Sequence, residues 1–420
     1  MDNNFNKSKS QKKIVVAMDS FKGSLTSLEA GNAVRDGILE RYPDVDVQIF
    51  PVADGGEGTV EALTFGKEHV QKRTIPVTGP VGTKVSAEYT IYEQAGEKTA
   101  VLEMAQAAGL PLVPEERRNP MHTTTYGVGE MIRDAITCGC RKFILGIGGS
   151  ATNDAGIGML QALGFHFRDE AGREVGYGAE GLAQVRSITT EDVLPELASC
   201  TFQIACDVTN PLVGAQGCSA VFAPQKGADA KMVQAMDAAM NRYADIVEDM
   251  YRKDPVLMEN QLTGYDEAGK NVEKINRQSQ VKNRMTPGAG AAGGLGYACL
   301  MFLHVALKPG IDIVLDEIQI EQAIKTADAV ITGEGRFDAQ TLMGKTPIGV
   351  ARIAKAYEVP VYAFAGCFGA DVQVCIDSGV FAGCYAASTV RTEEEKRLAM
   401  EKKQAYANLR NCVRNNLTGL

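Results

Sequence analysis

Tryptophan is absent from this 420-residue sequence, histidine occurs only four times, and the ten cysteines form no paired framework. Cys138 and Cys140 make a C-x-C, but no C-x-x-C and no cysteine–histidine zinc spacing occurs. That excludes zinc-ribbon and thioredoxin-type centres as readings of the cysteines. Most of them sit inside apolar runs, such as Cys206 in FQIACDV and Cys299 in GYACLMF, and are expected to be reduced core residues. His69, His122, His166 and His304 are too scattered to suggest a metal site or a triad. Long apolar runs are missing as well. The polar opening MDNNFNKSKSQKK has no segment behind it that could serve as signal peptide or membrane span, so the expected location is the cytoplasm. Basic charge is not in excess: 43 Lys and Arg against 52 Asp and Glu leave a net charge of −9. Nucleic acid and anionic membrane surfaces are therefore poor candidate partners.

Glycine, by contrast, is plentiful at 44 residues, in a composition that is 45% hydrophobic and 23% charged. This is globular usage, and the length suits two domains. The run IVVAM from Ile14 is short, β-branched and ended by Asp19 and Ser20, as in a buried strand. Thr26 and Glu29 have capping-box spacing, and Ala30, Val34 and Ile38 follow on one helical face up to Tyr42-Pro43. VDVQIF then alternates like a strand. Strand, helix and strand make a right-handed βαβ unit, so both strands end at one sheet edge, where open α/β sheets bind ligands. Asp19-Ser20-Phe21-Lys22-Gly23 and Asp54-Gly55-Gly56-Glu57-Gly58 follow those two strand ends.

RTIPVTG, KVSAEYTIYE and KTAVLEM read as antiparallel strands of a second domain, followed by a helix over 124–138. KFILGIGGSATNDAGIGMLQALGF reads as strand, glycine-rich turn and a helix ended by Gly164. FQIACDV and SAVFAP are expected strands, and 245–286 an irregular or helical insertion. AVITGEG, VYAFAG and FAGCYA are strands again. PIGVARIAKAY is a helix with Thr346 as candidate N-cap, and a surface helix from Thr392 to about Arg414 closes the chain. The expected architecture is α/β: a doubly wound, mostly parallel sheet domain (12–68 and 287–420) and an inserted second α/β domain (69–286), with a cleft between them.

GIGGSATND (146–154) carries the strongest chemical signal. Its glycines let backbone amides approach a phosphate, and Ser150, Thr152 and Asn153 add donors. Asp154 could cap the helix, hold Mg²⁺ or act as a base. The same stretch reads as G-x-G-x-x-A with Asp169 at a suitable distance, which is the basis of an alternative, an NAD-dependent oxidoreductase. Gly288-x-Gly290-x-x-Gly293 lacks the preceding strand that such a fingerprint requires. AQTLMGKT (339–346) falls one residue short of a Walker A motif, and a P-loop is rejected. Glu334, Arg336, Asp338 and Lys345 nonetheless gather beyond the strand AVITG, where cations could hold phosphate or carboxylate and acids could carry Mg²⁺ or take a proton. Asp207 ends the strand FQIACDV, as ligand or as turn-former.

At these residues the chain resembles the bacterial glycerate kinase family. The matching stretches are AMDSFKGSL (17–25), PVADGGEGT (51–59), GIGGSATNDAGIGML (146–160), CDVTNPLVGAQG (206–217), VFAPQKGA (221–228), PGAGAAGGLG (287–296) and ITGEGRFDAQTLMGKTPIGVA (331–351). The resemblance implies ATP and Mg²⁺ as phosphoryl source and D-glycerate as acceptor. The 2-hydroxyl is favoured over the 3-hydroxyl, by analogy with members that act in glucarate and glyoxylate breakdown. Ala155 stands where the family commonly has a second glycine. On this footing Gly148, Gly149, Ser150, Thr152 and Asn153, with Gly55 and Gly56, are expected at the nucleotide. Asp154, Asp207 and Glu334 are expected at the metal. Lys22, Arg336 and Lys345 would neutralise phosphate and anchor the acid, and Asp19 or Asp338 would be the base. The homodimer is left open, and a non-catalytic phospholigand-binding protein is the remaining alternative.

Overall fold

The computed structural model describes residues 11–56, 58–253, 283–303, 305–389 and 392–418. Glu57, His304 and most of the expected insertion at 245–286 therefore lie outside the described residues. The chain divides into two compact units, Met1–Phe65 with Pro309–Leu420, and Gly66–Lys308.

The first unit is a five-stranded, wholly parallel sheet in the order Gly383–Ala386, Val361–Ala365, Ala329–Gly333, Lys13–Met18, Asp46–Pro51. Both faces are covered, which is why Lys13–Met18, Ala329–Gly333 and Val361–Ala365 read as nearly unbroken apolar runs, while the edge strand Asp46–Pro51 alternates. Ile14, Val16 and Met18 pack with Val34, Ile38, Leu409 and Val413 on one side; Val15 and Ala17 pack with Ile311, Leu315 and Val350 on the other. Helix Ser27–Leu39 begins with the capping box that Thr26 and Glu29 predict. The closing segment differs from the expected single surface helix. It is two helices, Glu393–Met400 and Lys402–Asn416, broken at an extended Glu401. The second buries Ala405, Leu409, Cys412 and Val413, each large apolar side chain worth about 1.5–3 kcal/mol when removed from water. Gly37 makes that packing close, since a Cβ there would lie 2.4 Å from the carbonyl oxygen of Arg410.

The second unit holds a mixed six-stranded sheet in the order Leu307–Lys308, Thr201–Ala205, Lys142–Gly146, Glu97–Glu103, Lys84–Gln94, Glu68–Thr78. Strand Lys84–Gln94 is antiparallel to both its neighbours, Glu68–Thr78 and Glu97–Glu103, as expected of RTIPVTG, KVSAEYTIYE and KTAVLEM, and the remaining pairings are parallel. SAVFAP is not a strand: Cys218–Phe222 is a short helix, packed beside the long helix Ala230–Lys253. The segment 287–308, expected in the discontinuous domain, belongs to this unit instead. Its segment Ala291–Phe302, helical apart from a left-handed kink at Ala292, Gly293 and Gly294, is apolar all round and sits in the unit's core with Leu160, Tyr243 and Phe165. A short apolar run cannot announce which of two cores will take it. Among the described residues no helix is long and apolar enough to cross a membrane.

Candidate active site

In chain order the strands of the first unit are arranged second, first, third, fourth, fifth. The switch point of this doubly wound order lies between the first and third strands, and ligands bind outside the carboxyl ends there. Met18 and Gly333 are register partners at that end. The next residues, Asp19 and Glu334, therefore emerge side by side, with the Asp19 amide donating to the Gly333 carbonyl at 2.9 Å. Asp54 follows the adjacent strand Asp46–Pro51. Together with Lys22, Arg336, Asp338 and Lys345 these acids line one pocket of ≈ 310 Å³. Loops far apart in sequence thus meet because parallel strands deliver them to one edge.

Asp19 is 4% exposed. Its carboxylate accepts from the Thr346 hydroxyl at 2.9 Å and from the Ser20 amide at 2.6 Å. Burial, and then the charge of Asp54, push its pKa up to about 7 against those two hydrogen bonds, with Glu334 adding a smaller push. Glu334 is also raised, chiefly by burial. It accepts from the Thr341 hydroxyl at 2.7 Å and lies 3.7 Å from the Lys345 ammonium. Thr346 is the first residue of helix Thr346–Ala356 rather than its N-cap; Lys345 takes that position. The hydroxyl is directed at Asp19, which explains the departure. Asp338 caps the 3₁₀ turn Ala339–Met343 by accepting from the Gln340 amide at 3.0 Å, and it pairs with Arg336 at 3.4 Å. Gly55 and Gly56 form the turn after Asp54, with the Gly56 amide donating to the Asp54 carboxylate at 3.3 Å. They are not among the residues lining the pocket.

In the second unit, Gly148, Gly149, Ser150, Thr152, Asn153 and Asp154 form one loop between strand Lys142–Gly146 and helix Ile157–Ala162. The helix starts later than the motif predicts, so its N-terminus is not at the glycines. Gly164 ends it as expected, in the left-handed conformation at φ +96°. The Gly164 and Phe165 amides then bond to Gln161 and Leu160 in a Schellman arrangement. Gly148 and Gly149 are exposed. A Cβ on Gly148 would meet nothing within 4 Å, and Gly149 has φ +74°. Among the described residues their amides and that of Ser150 donate no backbone hydrogen bond, as a phosphate-binding turn requires.

Thr152, Asn153 and Asp154 face inward and are fully buried. Asn153 donates to the Ser219 hydroxyl at 2.9 Å, while the Thr152 hydroxyl and the Asn153 carbonyl oxygen have no partner among the described residues. Asp154 accepts from the amide and hydroxyl of Thr125 at 2.8 and 2.9 Å and from the Gly156 amide at 3.1 Å. It is a loop-holding residue with no face left for a metal. Ala155 has φ +51°, a conformation costing roughly 1 kcal/mol for a residue with a Cβ and the reason a glycine suits that place. Asp207 is exposed at the end of strand Thr201–Ala205, in the same unit, whereas Glu334 is in the other.

The dinucleotide reading fails on topology. After helix Ile157–Ala162 the chain enters strand His166–Arg168, which pairs antiparallel with Ser187–Thr189 and not with the main sheet. Asp169 is held in a tight turn by Arg173 at 2.9 Å. Sequence reasoning also passed over Lys226, buried beneath the glycine loop, and Thr125 beneath Asp154; nothing in APQKGA or HTTTYG marks either as interior.

Among the described residues no three acidic, histidine or cysteine side chains form a ready-made metal cage. Mg²⁺ asks for less, since it keeps waters and substrate phosphates and takes one or two carboxylates. Asp54 and Glu334, close enough to Asp19 to help raise its pKa, fit that donor set; the enclosed Asp154 does not.

A profile described as the glycerate kinase family matches residues 14–418. The chain is 46% identical over 370 residues to a glycerate kinase of Haemophilus influenzae, covering 88% of this chain and 89% of that one. It is 41% identical over 403 residues to a glycerate 2-kinase of Escherichia coli, with 96% of each covered. A crystal structure described as that of a "putative glycerate kinase 2" from Salmonella typhimurium LT2 superposes with TM-score 0.80 at 41% identity, over 96% of this chain and 97% of that one. Switch-point acids, an open glycine turn and likeness along nearly the whole chain converge on one assignment: the chain belongs to the glycerate kinase family and is a phosphotransferase.

Proposed function

We propose that this chain transfers the γ-phosphoryl group of ATP to the 2-hydroxyl of D-glycerate, with Asp19 as general base. The observation that carries this reading is a buried carboxyl of pKa about 7 at the switch point, lining one pocket with Lys22, Arg336 and Lys345. A base is most effective when its pKa lies near the working pH. Ionised Asp19 would take the hydroxyl proton as the new O–P bond forms and the bond to the ADP oxygen breaks. The three cations would hold the acid's carboxylate and neutralise charge on the transferring group. The exposed amides of Gly148 and Gly149, with Ser150, would bind nucleotide phosphate. Magnesium, held through Asp54 or Glu334 and water, would supply charge neutralisation at the phosphate oxygens. The name glycerate 2-kinase borne by the Escherichia coli relative supports the choice of hydroxyl.

Phosphorus NMR of the product from D-glycerate and ATP with Mg²⁺ tests the whole reading. 2-Phosphoglycerate is the expected signal, and untouched glycerate would remove the proposal. Stabilisation on heating is expected with ATP and Mg²⁺ but not with NADH.

Asp338 is the other candidate base, and its capping role separates the two. Asp338→Asn keeps an oxygen for the Gln340 amide and is expected to turn over at near the parent rate. Asp338→Ala loses the cap, at about 1 kcal/mol of stability. A loss of about a hundredfold in the Asn variant, with unchanged melting, would transfer the role of base from Asp19 to Asp338.

A further inference from the structure

Lys226 is 3% exposed, just beyond the helix Cys218–Phe222. Its ammonium donates at 2.7 Å to the Ser150 hydroxyl and at 2.7 Å to the Thr152 carbonyl. Both acceptors are neutral, and among the described residues it makes no ion pair. The facing ionisable groups are the Cys218 thiol and Asp154; burial outweighs both and lowers its pKa to about 8. Asp154 is poorly placed to balance the charge, since burial favours its neutral form and its oxygens are engaged by Thr125 and Gly156. A desolvated cation without a counterion is costly unless an anion completes it. The glycine loop that it holds is exposed at Gly148 and Gly149.

The hydrogen-bond directions add a second argument. An ammonium has no lone pair and can only donate, so the Ser150 oxygen accepts from Lys226 and its own proton must point elsewhere. Thr152 is held through its backbone carbonyl, which fixes the segment after the glycines.

We propose that Lys226 is a positioning residue for nucleotide binding. By donating to Ser150 and Thr152 it turns the Ser150 hydroxyl into a phosphate donor and places a buried positive charge behind the loop. This rests on the reading of Gly148–Asn153 as the phosphate loop, and the two can fail separately.

Lys226→Met keeps most of the length of the side chain and removes its charge and donors; Ser150→Ala removes the hydroxyl. Gly148→Ala probes the loop itself, because a methyl there meets no atom of the described residues beyond its chain neighbours within 4 Å and would intrude on a ligand. KM for ATP and for D-glycerate, and kcat, would be measured for the three variants and for Lys226→Met combined with Ser150→Ala.

Each single change is expected to raise KM for ATP about tenfold, one charge-assisted hydrogen bond being worth roughly that factor. KM for D-glycerate should be nearly unchanged, and the combined variant should be no weaker than Lys226→Met alone. If Gly148→Ala and Ser150→Ala bind ATP normally, the loop reading falls and the proposal with it. If those two weaken ATP while Lys226→Met does not, the proposal alone falls. Multiplying effects in the combined variant, or equal changes in both KM values, would also overturn it, the latter marking a purely structural lysine. Should Lys226→Met not fold, Lys226→Gln, which keeps an amide donor group but no charge, is expected to give the same selective rise.

Discussion

Replacing Asp19 by Asn is expected to lower kcat by about a thousandfold, the scale of a lost general base, without lowering stability. In the parent protein kcat/KM should climb tenfold per pH unit below about 7 and level off above it, following ionisation of Asp19. The Asn variant should lose that slope. The linkage to stability runs the opposite way. The folded pKa of about 7 lies above the ordinary value of 3.8, so between those values the folded chain binds the extra proton. The parent's stability then falls as pH rises through that window and stays flat beyond it. Asn at 19 carries no charge beside Asp54 and Glu334 and escapes this loss. At pH 8 the variant should therefore melt at or above the parent temperature while being nearly inactive. Calorimetric melts at pH 5 and 8 beside initial rates would show it. An inactive variant that melted lower at both pH values would point to a structural Asp19 instead.

Gly293→Ala should have the largest effect on the second unit. Gly293 has φ +66°, and a Cβ there would lie 2.0 Å from the Thr152 carbonyl oxygen and 2.7 Å from the Asn153 Cα. The contact is with backbone, so no side chain can turn away. Strain at positive φ and overpacking together cost about 3 kcal/mol, or about 6–12 °C in melting temperature for a unit of this size. Because the Ala155 amide also donates to the Gly293 carbonyl, the displacement would pass into the glycine loop. Affinity for ATP should drop more than affinity for D-glycerate, as isothermal titration would report. The run PGAGAAGGLG is thus a glycine-rich abutment to the loop, not a second nucleotide fingerprint.

Several features of the first unit are legible from local chemistry. IVVAM, AVITG and VYAFA are apolar throughout, as strands of a parallel sheet covered on both faces are. A capping box at Thr26 and Glu29 starts a helix wherever the chain goes next. From these alone Asp19, Lys22, Glu334 and Arg336 fall at strand ends, and long motifs name the family. Misreadings arose where a residue's partner is remote. Thr346 looks like an N-cap until Asp19, 327 positions away, claims its hydroxyl. SAVFAP has strand composition, yet it is helical where it packs beside Ala230–Lys253.

What the amino-acid order determined by itself was the periodicity of most elements, the glycine turns and the chemical inventory at the strand ends, because each depends on neighbours within a few positions. Tertiary structure alone decided that Asp19, Asp54 and Glu334 crowd together, that Asp154 is enclosed rather than offered to a metal, and that Lys226 lies under the loop. Those outcomes depend on burial and on fields from distant charges, which exist only once the strands have been brought to a common edge.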